Sequence, residues 1–109
     1  MMPIPKSWLI HSAVLRSPVS ADAWQQVTYS DRVLDHVKIE PSTRLVLTKD
    51  NLQIQLSSLL IYDCRNSKPV GVDFEPGQKL AWNDREYAVI TAEPLYDGVR
   101  LHHWEVGLA

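Results

Sequence analysis

Proline and glycine cut this chain into short pieces. Pro18, Pro41, Pro69, Gly71, Pro76, Gly77, Pro94 and Gly98 punctuate it at close intervals. Proline breaks a helix interior because it removes an N–H and clashes with the preceding turn. Few uninterrupted stretches are long enough for a helix of three turns. Short apolar segments between regular turn signals predict an all-β domain, a small antiparallel barrel or sandwich with long loops and at most a short helical turn. The 109 residues, 45% of them hydrophobic, suffice for one such domain over 1–109 with a single core.

Six to eight strands are expected. Trp8 to Arg16 is apolar on both faces in part, and Trp24 to Tyr29 places Val27 and Tyr29 on one side. Val33 to Ile39 reads as a strand with Val33, Val37 and Ile39 on one face and His36 and Lys38 on the other. A helical turn capped by Ser30 or Asp31 competes there, but β-branched residues and Pro41 favour the strand. Leu52, Ile54 and Leu56 alternate with Gln53 and Gln55, which predicts one face on the core and one in water. Leu59 to Tyr62 loses the alternation and predicts burial on both sides. Lys79–Trp82 and Glu86–Ala92 flank Asn83-Asp84-Arg85 as a hairpin, after a turn at Glu75-Pro76-Gly77. Asp97-Gly98 is the strongest turn signal and leads into a last strand over Val99–Gly107. In that strand Leu101 falls out of phase with Trp104 and Val106, so a β-bulge is expected near His102-His103.

The chemistry-bearing residues form no recognisable catalytic or metal-binding pattern. Neighbouring strand residues face opposite ways, so His102 and His103 share a metal only if a bulge turns them. Cys64 joins them only if the fold brings it there. Asp63 beside Cys64 raises a thiol pKa rather than lowering it. No glycine-rich phosphate loop is present. No enzyme activity, cofactor or metal is therefore expected. The formal charge is -2, which gives no global pull toward nucleic acid. Trp8, Trp24, Trp82 and Trp104 could stack bases, yet basic residues do not cluster among them. A small barrel binding single-stranded nucleic acid stands as the alternative function.

A lone cysteine allows no internal disulfide. No apolar run approaches the ~20 residues of a membrane span, and no signal peptide is visible, so folding in a cytoplasm is expected. Residues 1–72 carry eight Lys/Arg against six Asp/Glu, and residues 73–109 carry three against seven. Solvated faces explain that split first; ends that pair subunits head to tail explain it second. The polar stretch Asp63, Arg65, Asn66, Ser67 and Lys68 before Pro69 also has two readings. Its side chains can cap their own backbone, or they can form a contact loop for a partner protein. The residues alone leave both open.

Several stretches, in order, resemble the minor capsid protein family of tailed phages and prophages. They are Pro3-Ile4-Pro5-Lys6 with Leu9-Ile10-His11, Val37-Lys38-Ile39-Glu40-Pro41-Ser42, and Tyr62-Asp63 with Asn66-Ser67-Lys68-Pro69. They continue through Glu86-Tyr87 with Val89, then Glu93-Pro94-Leu95-Tyr96-Asp97-Gly98, and end at Leu101-His102-His103-Trp104-Glu105-Val106-Gly107-Leu108. The chain departs from the family where Asn83-Asp84-Arg85 replaces a glycine turn and where Trp104 replaces a tyrosine. The resemblance implies a structural protein of the head-tail junction, docked on the portal or a neighbouring ring. It implies a homo-oligomeric ring in the virion that extends or closes the DNA channel, with a monomer as the free form. It also implies non-specific contact with packaged DNA, no membrane, and assembly in the host bacterial cytoplasm. On this reading the 63–68 loop and a second surface on Glu93, Tyr96 and Asp97 are the expected interfaces.

Overall fold

A computed structural model describes residues 4–21, 27–48 and 50–109. Trp24 and the first part of the strand expected over Trp24–Tyr29 lie outside the described residues. Among the described residues, a 3-10 turn at Lys6–Trp8 precedes eight strands. These are β1 (His11–Ala21), β2 (Val27–Pro41), β3 (Leu45–Leu47), β4 (Gln53–Gln55), β5 (Ser58–Asp63), β6 (Lys79–Trp82), β7 (Arg85–Asp97) and β8 (Arg100–Leu108). Six of them close an antiparallel barrel in the order β1-β2-β5-β8-β7-β6, and β3 and β4 form a separate two-stranded hairpin. The all-β expectation is thus met by a closed barrel, which removes most open sheet edges.

The core is lined by alternate residues: Leu15 from β1, Leu34, Val37 and Ile39 from β2, Leu60 and Tyr62 from β5, and Trp104, Val106 and Leu108 from β8. Burying each such side chain stabilises by about 1.5–3 kcal/mol. Val72 and Phe74, from the long connection after β5, join the same cluster. Phe74 meets the Tyr62 ring at 5.4 Å and the Trp104 ring at 5.6 Å, both edge to face.

Where the strands bulge, the expected faces change. Val33 is exposed and Leu34 is fully buried, the reverse of the alternation read from sequence. Between the pairs Ala13↔Leu34 and His11↔Val37, β2 spends one more residue than β1. His36 takes a left-handed φ of 58° within that extra step, which a histidine tolerates better than most residues. The bulge is held by local bonds: Ile39 N–H donates to His11 Nδ1 at 3.0 Å, and Ser12 Oγ donates to Asp35 Oδ1 at 2.9 Å.

The bulge expected in β8 is present. Leu95 pairs with His103 and Tyr96 with Leu101, which leaves His102 as the extra residue. Both expected hairpins form as well. Asn83 and Asp84 have φ of 52° and 61°, the mirror-image turn that matches strand twist. Gly98 supplies φ of 66° at the β7–β8 turn.

Two expectations need correction. Leu59 to Tyr62 keeps its alternation, with Leu60 and Tyr62 inside and Leu59 and Ile61 half-buried outside. The Leu52–Leu56 alternation does not mark a core strand. β4 pairs only with β3, Leu52 is exposed, and only Leu56, just past β4, is buried, on the outer side of β7 and β8. There a Cβ on Gly107 would come within 2.8 Å of Leu56 Cδ1 and 2.4 Å of Thr91 Oγ1. Glycine is what admits Leu56 so close to β8.

Candidate assembly interface

β5 ends at Asp63, paired with His103 of β8, while its other neighbour β2 runs on toward its start at Val27. β8 likewise runs on past β5 to Arg100. The β1–β2 ribbon, the β7–β8 tip and the connection leaving β5 therefore gather at one end of the barrel.

The polar loop at that end is folded on itself. Asp63 is buried, and its Oδ2 accepts Asn66 Nδ2–H at 2.8 Å while its Oδ1 accepts Arg65 N–H at 3.4 Å. Ser67 Oγ is also buried; it accepts Asp63 N–H at 2.9 Å and donates to the His36 carbonyl. Asn66 Nδ2 reaches the Ile4 carbonyl at 3.1 Å, tying down the N-terminal segment. Lys68 and Asp35 exchange both backbone bonds, at 2.8 and 2.9 Å. Tyr62 Oη donates to the Pro69 carbonyl. The structure thus divides the loop. Asp63, Asn66 and Ser67 are engaged internally, and only Arg65 and Lys68 present exposed side chains.

The second candidate surface comes partly to the same place. Asp63, Cys64 and Arg65 face Asp97, Arg100 and His102 across a cleft of about 390 Å³. Cys64 N–H donates to the His102 carbonyl at 3.1 Å beneath it. Glu93 is not there. It lies beside Arg44 at 4.0 Å. Tyr96, paired with Leu101 at the β7 tip, is 56% exposed.

Three features of this end bear on chemistry. Burial, and then the Asp63 charge, push the Cys64 thiol pKa up, which works against a nucleophilic role. The β8 bulge turns His102 and His103 toward each other, with their Nδ1 atoms 2.7 Å apart. The bulge that the two rings need in order to share one side is therefore present. The contact requires one ring to donate and the other to accept. Among the described residues, however, no group of three His, Cys, Asp or Glu side chains could hold a metal ion.

Two apolar surfaces escaped the sequence reading. One is a groove on the outer face of β2 and β5, lined by Ile4, Trp8, Ile10 and Ile61 with Lys38 and Glu40. The signal was present around Leu9, which is buried while Trp8 and Ile10 on either side are exposed. The other is the β3–β4 hairpin, where Leu45, Leu47 and Leu52 are exposed. Among the other described tryptophans, Trp104 is buried and Trp82 packs on the core beside the His11 ring. Trp8 stands among isoleucines and offers no basic track for bases.

No helix among the described residues is long and apolar enough to cross a membrane. A family model described as minor capsid protein matches residues 5–108. Among solved structures, the chain is similar to the phage-like element PBSX protein xkdH from Bacillus subtilis. The two share 16% identity over 91% of each chain, with a TM-score of 0.45. No curated protein matches the sequence.

Proposed function

The chain belongs to the minor capsid protein family, and on that premise we propose that this virion component works at the head-tail junction. Its subunits dock on the portal side, close into a ring, and extend or seal the DNA channel. The role is mechanical and has no bond-making step.

The observation that carries this reading is the gathering of three excursions at one barrel end: the β1–β2 ribbon, the 63–78 connection and the β7–β8 tip. A closed barrel supplies a rigid body, and the excursions supply docking surface. Arg65 at the Asp97 cleft and Lys68 beside Asp35 are the contact residues. Their charges also suit passing contact with DNA phosphates. The ribbons keep off one another in the free subunit. Pro18 lies beyond the β6 pairing of β1, and Pro94, Glu93 and Asp97 lie on β7 beyond its β6 pairing. Proline and charge on free edges block unprogrammed strand pairing. The subunit therefore folds as a monomer in the host bacterial cytoplasm and associates through side-chain surfaces.

Immunogold labelling of purified particles tests the location. Label confined to the vertex where the tail joins is expected. Label spread over the capsid shell contradicts the junction role.

A further inference from the structure

A closed ring needs two different patches on each subunit, placed so that one meets the other on the next copy. Two apolar features of the described surface, one concave and one convex, lie apart. The groove is on the outside of β2 and β5. The β3–β4 hairpin leaves from the end of β2 but reaches β7, where Arg44 meets Glu93. β7 is two strands farther round the six-strand barrel than β5. Leu47 and Leu52 flank the hairpin turn, where Thr48 N–H donates to the Leu52 carbonyl at 2.9 Å. The turn is thus a wedge with leucine on either side. The groove has Trp8 on one wall and Ile61 of β5 in its lining, and an exposed tryptophan beside a pocket is the residue type that anchors interfaces.

We propose that the leucine-tipped β3–β4 hairpin of one copy seats in the Trp8 groove of the next copy. The inference rests on the ring reading above and names the surfaces that would close it. Trp8, Ile10, Leu45, Leu47 and Leu52 are each 60–69% exposed. Together they offer roughly 600 Å² of apolar surface, which at the usual ~57% apolar share makes a contact of roughly 1,000 Å². That is the lower bound for a specific interface, and each copy in a ring makes two. It fits a subunit that stays monomeric when dilute and assembles when concentrated.

Sedimentation velocity on the full chain tests the pairing, using Trp8→Asp and Leu47→Asp. Both positions are exposed, so both variants should keep the wild-type circular dichroism spectrum. The wild type is expected to form multimers as concentration rises, and each variant to associate roughly 10- to 100-fold more weakly. An equimolar mixture of the two variants is expected to give a dimer and nothing larger, because it holds one intact hairpin facing one intact groove. Wild-type multimers that survive either substitution overturn this contact and leave the ring reading standing. A wild-type chain that stays monomeric throughout the concentration range overturns this contact too, and leaves only a ring whose closure the portal triggers.

Discussion

Asp63, Asn66 and Ser67 sit within five positions of Arg65 and Lys68, yet the first three are bonded internally and the other two are exposed. Ser67 Oγ bonds two backbone groups at the exit of β5. Replacing it with alanine leaves a buried donor and acceptor unpaired, and is predicted to cost about 1–3 kcal/mol of stability in urea unfolding. Arg65→Ala with Lys68→Ala is predicted to change stability by no more than ~0.5 kcal/mol while reducing incorporation into particles. Equal stability loss in both variants contradicts this division. The sequence showed a polar loop but not the division, because whether a side chain points at its own backbone depends on contacts with Asp35, His36 and Ile4, far away along the chain. His11 gives a second residue-scale prediction. Its imidazole pKa lies below the usual 6.5, through burial first and the Lys38 charge second. Below about pH 6.5 the folded state then binds fewer protons than the unfolded one, so this stability is present above that pH and is lost as pH falls from there through the lower folded-state pKa. Thermal melts at pH 7 and pH 5 check it. The wild type should lose more melting temperature than His11→Asn, whose amide oxygen can still accept the Ile39 N–H. Parallel losses contradict it.

Strand pairs were easier to read than strand faces. Turn chemistry at Asn83-Asp84 and Asp97-Gly98 is local, so both hairpins were legible. The β8 bulge was legible too, because Leu101 is visibly out of phase with Trp104 and Val106. The β2 bulge was not. Val33 and Leu34 are equally apolar, and only the pairing with β1 shows which one turns inward. The β4 alternation was real, but alternation reports a pleated strand and not what covers it. The Asn83–Asp84 turn carries the prediction at this scale. Asp84 holds φ of 61°, a region where glycine has no steric cost. Asp84→Gly is predicted to stabilise by ~0.5 kcal/mol, raising the urea midpoint with an unchanged m-value. A lowered midpoint contradicts the turn assignment.

At the scale of the whole molecule, the fold explains how a chain this small can serve an assembly. Barrel closure stabilises the subunit alone, with Val72 and Phe74 of the 63–78 connection packed into its core; on the proposed reading the side chains left exposed on the excursions carry the contacts. The sequence indicated the family through an ordered set of landmarks. Several of those landmarks are structural: Asp63, Ser67 and Gly107 are buried parts of the fold. That is why the landmarks indicated the family more clearly than any contact surface. The groove and the leucine hairpin stayed hidden because an apolar residue in a strand reads as core unless its neighbours in space are known.

The most direct test of the junction role is electron microscopy of particles made without this gene. DNA-free or leaking heads lying apart from finished tails are predicted, with intact particles restored by supplying the wild-type chain. Intact, DNA-filled virions with tails attached would contradict it.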